Sequence, residues 1–281
     1  MAWRTLHRNW GMMLIALVFV AGIRSGMFFD GDIYGIGAGF GMLLLLRMAA
    51  KRQDGIQGRG IPGAGMISSG LVNSDKGLRV VLGCICGMIL MYVLHGVGQP
   101  LSLEGTMNEI ILWGSYACFT AVAWRISRTG DGLRLMQIGW HLLGAVLCGS
   151  ALLAVYGLLE LPYGIYHTAD ADISASGARL GGLLQYPNTF GAVMAAFLLE
   201  RLFALPPVLR TRTGTLRAAA ALLPLLPYTA ALLLTESRGA WLAAALACAA
   251  GFAKERRAFA PLLLAAAAPL ASAALLYRQL A

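Results

Sequence analysis

Residues 218–253 read AAAALLPLLPYTAALLLTESRGAWLAAALACAAGFA, and this stretch decides the class of fold. It contains two apolar runs, 218–234 and 240–253, which are separated by the polar pentapeptide TESRG at 235–239. Apolar runs that approach about 20 residues are typical of helices that cross a bilayer, and a short polar break marks the turn between two of them. The stretch therefore predicts a helical hairpin in a membrane.

The rest of the chain has the same apolar character. Of its 281 residues, 58% are hydrophobic and 12% are charged. A soluble domain carries about 25% charged residues, so these values exclude an ordinary soluble fold. We predict a single all-α domain, 1–281, built as a polytopic transmembrane helical bundle in a lipid bilayer. The predicted spans number nine: 10–28, 33–50, 78–96, 107–124, 135–159, 181–199, 218–234, 239–253 and 258–277.

The basic residues predict how the bundle is oriented. With the N-terminus placed in the cytoplasm, all but four of the 22 Lys and Arg residues fall on the cytoplasmic side, as the positive-inside rule requires. The C-terminus is then extracytoplasmic, and the net charge of +9 reflects cytoplasmic loops and not a nucleic-acid partner. We expect 51–77 to be a flexible cytoplasmic loop and 160–180 an extracytoplasmic loop. The four basic residues left outside are Arg24, Arg179, Arg238 and Arg278.

The predicted sixth span begins with RLGGLLQYPN at 179–188. Arg179 supplies a planar guanidinium that suits a diphosphate, and Pro187 is expected to break the hydrogen-bond ladder of the helix. Polar side chains at this depth need protein or a wet cavity around them. The alternative is an Arg that anchors a helix end at the interface, with Pro187 as a kink. The polar side chains are Gln185, Tyr186 and Asn188.

The TESRG pentapeptide is the second candidate site. The hydroxyl of Ser237 is placed to cap the following helix. The N-terminus of that helix and the charge of Arg238 would together favour an anion. Glu236 could pair with Arg238 or with Arg179, and the alternative is an ordinary capped hairpin. Two arginines on one predicted membrane face suggest a site for a phosphate-bearing lipid.

Together, RLGG…PN at 179–188, a basic loop, and LTESRGAWLA at 234–243 resemble the O-antigen ligase and O-antigen polymerase family over about 176–250. Members of that family are membrane glycosyltransferases that use glycans linked to undecaprenyl diphosphate at the outer face of the bacterial cytoplasmic (inner) membrane. The resemblance implies that Arg179 and Arg238 are catalytic and hold the diphosphate, without a metal, a cofactor or a nucleotide sugar. It also implies that Asn188 shapes the cavity. The further predicted substrate-binding residues are Ser237, Tyr186 and Gln185.

The family pattern continues into a large extracytoplasmic loop that carries a His, whereas the sequence ends at Ala281. We therefore expect a C-terminally truncated member, for which a second chain could supply the loop. His167 lies at a different place, and the role of that His is not transferred to it. Two alternatives stay open: a non-catalytic family member that needs the second chain, and a polytopic transporter or flippase of lipid-linked glycans.

Overall fold

A computed structural model describes residues 2–24, 30–57, 68–98, 100–210 and 223–254, together with 271 and 274. The described residues are mostly helical, as the sequence predicts, and they add one short β-hairpin. The helices are α1 (Ala2–Ile23), α2 (Asp30–Gln57), α3 (Ser68–Val97), α4 (Leu103–Ser127), α5 (Gly130–Val155), α6 (Pro187–Arg210), α7 (Leu225–Leu234) and α8 (Arg238–Lys254). The hairpin strands are β1 (Ile165–His167) and β2 (Ala178–Leu180).

Three helical segments in the described residues are long and apolar enough to cross a membrane: Lys76–Val97, Leu103–Ser127 and Gly130–Val155. Three shorter apolar segments accompany them: Asn9–Ile23, Gly31–Leu46 and Leu225–Leu234. These segments indicate a helical membrane protein. The predicted ninth span, 258–277, lies outside the described residues except for 271 and 274. The count of nine spans therefore stays a prediction.

The chain divides into two compact units, and the first is Met1–His141. Its core joins side chains of α1, α2 and α4, because each of these helices turns large apolar residues to a shared interior. Phe40 meets Phe119 edge to face, with ring centroids 5.6 Å apart. Gly37 allows α2 and α4 to approach, since a Cβ there would collide with the hydroxyl of Ser115. The buried core residues are Leu14, Ile33, Ile36, Phe40, Leu43, Val122 and Ile126.

In the second unit, Leu142–Ala281, helix α7 packs against α6. This helix has only 10 residues and buries side chains on all its faces, which marks it as an interior helix. Tyr228 of α7 stacks on Phe197 of α6 with ring centroids 5.5 Å apart. Gly144 leaves room for this pair, because a Cβ there would lie 2.6 Å from the Tyr228 hydroxyl and 2.8 Å from the Phe197 ring. The end of α5 therefore approaches α6 and α7 closely at Gly144.

The predicted sixth span, 181–199, needs a correction. Arg179 lies in β2 and not at the start of a helix, and Gly182–Leu184 form a turn of 3₁₀ helix. The α-helix begins only at Pro187 and runs to Arg210. Pro187 therefore does not break a helix but begins one, which is the position where its missing N–H costs nothing and its fixed φ helps.

Two predicted loops are also more ordered than expected. Residues 51–57 belong to α2 and 68–77 belong to α3, while 58–67 lie outside the described residues. The loop 160–180 contains the antiparallel β1–β2 hairpin, in which Tyr166 lies opposite Arg179 and His167 lies opposite Ala178. This hairpin gives Arg179 a backbone that is fixed by cross-strand hydrogen bonds.

Candidate functional site

A cavity of about 750 Å³ lies in the second unit, between α6, α8 and the segment before β2. One end is polar and the other is apolar. The polar end is lined by Asp172, Arg179, Asn188, Glu236, Ser237 and Arg238. The apolar end is lined by Ala192, Ala195, Ala196 and Leu199 of α6 and by Ala240, Ala243 and Ala244 of α8. The structure thus brings four of the predicted site residues to one cavity: Arg179, Asn188, Ser237 and Arg238.

Arg179 is held by two directional hydrogen bonds. Its Nε donates to the main-chain carbonyl of Thr235 at 3.0 Å, and its Nη2 donates to the Asn188 side-chain oxygen at 2.7 Å. Asn188 is oriented in turn, because its Nδ2 donates to the Tyr186 hydroxyl at 3.3 Å. The acceptors of the guanidinium carry no formal charge. These bonds therefore fix Arg179 in place without neutralising it.

Arg238 is the first residue of α8 and is exposed. Its Nη2 donates to the main-chain carbonyl of Asp172 at 2.9 Å, which is again an uncharged acceptor. Ser237, Arg238 and Gly239 all line the cavity, so the N-terminus of α8 lies at the same end, and helix N-termini favour anions. Both predicted cations are therefore present at the polar end of one cavity.

Glu236 has a left-handed backbone, with φ of 49°, and is almost fully buried. Its two carboxylate oxygens accept hydrogen bonds from the main-chain N–H groups of Ala175 at 2.9 Å and Ser176 at 3.2 Å. From the sequence, only Arg238 and Arg179 were candidate partners for this carboxylate. The two backbone contacts were missed because nothing local in the sequence relates residues that are 60 positions apart.

The cap predicted for Ser237 is present, since the N–H of Ala240 donates to the Ser237 hydroxyl at 3.4 Å. The turn before it is fixed by the main-chain carbonyl of Leu232. That oxygen accepts the Thr235 hydroxyl at 2.7 Å and the indole N–H of Trp241 at 3.0 Å. Because Trp241 comes from α8 and Leu232 from α7, this carbonyl ties the two helices across the turn.

Gly191 is a site-shaping residue that the sequence analysis missed. A Cβ at this position would lie 2.9 Å from the Thr235 hydroxyl oxygen and 2.9 Å from the Ser237 Cβ. Real Cβ atoms do not approach other atoms so closely, so only glycine allows α6 to pack directly on the TESRG turn. The signal in the sequence was a glycine inside a predicted helix, four residues after Pro187.

Gln185 and Tyr186 do not line the cavity. Gln185 adopts a left-handed backbone, with φ of 58°, and its side-chain Nε2 donates to the Pro162 carbonyl at 3.3 Å. Tyr186 contacts the site through Asn188, as described above. The structure therefore places these two predicted substrate-binding residues around the cavity and not on its wall.

His167 lies on the hairpin that carries Arg179. The register puts Tyr166 opposite Arg179, so His167 is displaced by one residue from that pair. Successive residues of a strand point to opposite faces, and His167 therefore faces away from the side on which Arg179 lies. Among the described residues, no group of three or more His, Cys, Asp and Glu side chains lies close enough to hold a metal ion.

Comparisons with protein-family models, with curated proteins and with solved structures find no match to this chain. The function of the cavity therefore has to follow from its own residues. The two guanidinium groups can donate hydrogen bonds to an anion with several oxygens. The small apolar side chains at the other end can accommodate a hydrocarbon chain. This combination suits an amphiphile with an anionic headgroup.

Proposed function

We propose that this protein is a membrane glycosyltransferase of the O-antigen ligase or polymerase type. It binds a glycan linked to a polyprenyl diphosphate and transfers the glycan, or extends it, on the extracytoplasmic face. The observation that supports this most strongly is the meeting of Arg179 and Arg238 at one end of a cavity whose other end is apolar. The resemblance of the motifs at 179–188 and 234–243 to that family points the same way.

The polar end is suited to a diphosphate by its geometry. Bidentate contacts between guanidinium groups and phosphate oxygens are strong because both partners are charged. Arg179 already has two of its N–H donors engaged with Thr235 and Asn188, so it does not have to be immobilised when the ligand binds. Arg238 is anchored in a similar way through Asp172. Prior anchoring lowers the entropic cost of binding for both residues.

Two acidic residues, Glu236 and Asp172, lie at the same end of the cavity. Glu236 directs both carboxylate oxygens to the backbone of Ala175 and Ser176, where the N–H groups stabilise its charge. Asp172 is exposed, so water screens its carboxylate. Both guanidinium groups, in contrast, donate to acceptors without formal charge.

The apolar end is suited to a lipid chain. It is lined by alanines of two helices, and residues 192–199 of α6 rise by about 10 Å along the helix axis. Small side chains keep a groove open between helices that would otherwise close on each other. The polyprenyl chain attached to the diphosphate would run along this groove towards the bilayer.

The chemical step follows from these contacts. The bond between the anomeric carbon of the glycan and the diphosphate oxygen breaks, and the leaving polyprenyl diphosphate takes the electron pair. The acceptor hydroxyl forms the new bond to that carbon, and its proton passes to water. Negative charge grows on the leaving diphosphate in the transition state, where Arg179 and Arg238 stabilise it.

The setting of the enzyme is part of the proposal. Nine spans with a cytoplasmic N-terminus would place 160–180 and 235–239 on the extracytoplasmic face, consistent with the distribution of Lys and Arg. The membrane is the bacterial cytoplasmic membrane, and a second chain that supplies a further loop is a partner we would look for. The three apolar helices and the apolar cavity end support the membrane setting.

The test is donor turnover by the purified protein in lipid nanodiscs, with an oligosaccharide linked to undecaprenyl diphosphate as the donor. We expect Arg179→Ala and Arg238→Ala each to lower turnover by at least about a hundredfold, the effect of removing one charged transition-state contact. Full activity in both variants contradicts the proposal. Movement of the donor across vesicle membranes without any transfer favours a flippase instead.

A further inference from the structure

The loop 168–178 is joined to the TESRG turn by two contacts, one made by an acidic side chain and the other by a basic side chain. The carboxylate of Glu236 accepts from the N–H groups of Ala175 and Ser176, and the guanidinium of Arg238 donates to the carbonyl of Asp172. Glu236 and Arg238 are two residues apart, so one short turn holds the loop at two points. The loop cannot shift away from Glu236 without also withdrawing the carbonyl that orients Arg238.

The loop also has internal order that would transmit this restraint. Its ends are joined where the N–H of Thr168 donates to the carbonyl of Gly177 at 3.0 Å. Inside it, the N–H of Asp172 donates to the Asp170 carboxylate at 2.9 Å, and the N–H of Ser174 donates to the Asp170 carbonyl at 3.1 Å. These bonds connect the segment that Glu236 holds to the carbonyl that Arg238 reaches. The two attachment points therefore belong to one hydrogen-bonded segment.

The backbone of Glu236 supports a dedicated role. A non-glycine residue with φ of 49° costs about 1 kcal/mol or more, and such residues persist only where the surroundings fix them. Glu236 is only 9% exposed, and a buried carboxylate requires hydrogen bonds of the kind that Ala175 and Ser176 supply. A Gly in this turn would avoid the strain but would lose the carboxylate.

We propose that Glu236 is a positioning residue for Arg238: by holding the loop 168–178, it keeps the Asp172 carbonyl where it aims the guanidinium into the cavity. The inference rests on the proposed function for the identity of the ligand, and on geometry alone for the coupling of Glu236 to Arg238. Glu236 does not touch the ligand in this scheme. It acts through the loop on the residue that does.

A double-mutant cycle tests the coupling, with undecaprenyl diphosphate in nanodiscs as the probe. Glu236→Ala should weaken binding about tenfold in the wild-type background and about twofold or less when Arg238 is already alanine, because the loop then has no guanidinium to orient. Equal losses in both backgrounds overturn the proposal. Glu236→Gln keeps one acceptor oxygen and should fall between the wild type and Glu236→Ala. Glu104→Ala, an exposed acid of the first unit, is the control and should change nothing.

Hydrogen exchange of the unliganded protein separates positioning from a general loss of structure. Glu236→Ala should speed exchange at Ala175 and Ser176 while the amides of α6 keep their protection. If α6 loses protection too, Glu236→Gln becomes the deciding variant, and unchanged exchange at Ala175 and Ser176 in that variant overturns the proposal. If the wild-type protein binds no undecaprenyl diphosphate, the proposed function fails by itself. The guanidinium NMR signal of Arg238 then decides, since Glu236→Ala must change it and an unchanged signal contradicts the positioning role.

Discussion

The two units of this protein differ in the polar groups that line their cavities. In Met1–His141, the Tyr34 hydroxyl donates to Asn108, and Arg24 forms an ion pair with Asp32 at 3.7 Å. A cavity of about 270 Å³ in this unit is lined by apolar side chains of α1 and α2. In Leu142–Ala281, two arginines are fixed by neutral acceptors at the edge of a larger cavity. The cavity of the first unit is apolar throughout, whereas charged side chains line one end of the cavity in the second.

The backbones differ in the same direction. Every left-handed residue in the part of the chain that the structure describes lies between 157 and 236, in the second unit. The non-glycine members are Tyr163, Gln185 and Glu236. Strained conformations of this kind concentrate at functional sites, because the surrounding structure has to fix them. An irregular backbone can place side chains where a straight helix cannot, and Glu236, which has such a backbone, lines the cavity.

The largest expected effect separates the arginines of the two units. Arg179→Ala should weaken binding of undecaprenyl diphosphate by about a hundredfold, since it removes a charged bidentate contact. Arg179→Lys should recover little of that loss, because an ammonium group cannot form the planar fork. Binding is measured by titration in nanodiscs. Arg24→Ala, in the first unit, should leave the affinity unchanged, and equal losses for the two alanine variants contradict the account.

The next effect compares two asparagines. Asn188→Asp puts a carboxylate on Arg179 and should weaken lipid binding by about ten- to thirtyfold, because the guanidinium becomes neutralised inside the cavity. Asn188→Ala removes the acceptor without adding charge and should cost less. Asn108 of α4 also accepts a side-chain hydrogen bond, so Asn108→Asp is the matched change in the first unit. If Asn188→Asp binds as tightly as the wild type, Arg179 is not the anion contact.

Helical glycines give a smaller effect, which is seen in stability. Gly191→Ala should destabilise the protein by about 1–3 kcal/mol, because its Cβ has no room beside Thr235 and Ser237. A Cβ added at Gly35 in α2 would have nothing within 4 Å. Gly35→Ala should therefore leave the stability unchanged or raise it by up to about 1 kcal/mol. Thermal unfolding in detergent measures both. A neutral Gly191→Ala would show that α6 does not pack against the TESRG turn as described.

Two serine caps give the smallest effect. Ser102 caps α4 with a 3.0 Å bond from the N–H of Gly105, whereas the bond to Ser237 is 3.4 Å long. Ser102→Ala should cost about 1 kcal/mol of stability without changing lipid affinity. Ser237→Ala should cost less stability and weaken binding about two- to threefold, since Ser237 lines the cavity. If Ser237→Ala lowers stability but leaves lipid affinity unchanged, Ser237 is only a cap.

Hydropathy and local motifs predicted the helical membrane class, the cap at Ser237 and the two arginines that now line one cavity. These features depend on residues that are near each other in sequence or on a strong average over many residues. Arg179 was placed at the start of a helix, whereas it lies in β2. Pro187 was read as a break, whereas it begins α6. Both errors arose because the short hairpin has only three-residue strands, too short to give a periodic signal.

The contacts that build the site were beyond the sequence for a different reason. Glu236 bonds to Ala175 and Ser176, and Arg179 bonds to the carbonyl of Thr235. Each contact joins a side chain to backbone atoms more than 50 residues away, and every residue type presents the same backbone atoms. The sequence therefore predicted the two arginines of the site but not the backbone contacts that hold the site together.

The central claim is that Arg179 and Arg238 bind the same diphosphate group. The most direct measurement is the ¹⁵N–³¹P distance by solid-state NMR, with ¹⁵N-arginine protein in bilayers that contain undecaprenyl diphosphate and with each arginine assigned by its lysine variant. The account predicts that both guanidinium groups lie within about 4 Å of phosphorus, as charge-assisted contacts require. Dephasing of one arginine alone, or of neither, would contradict it.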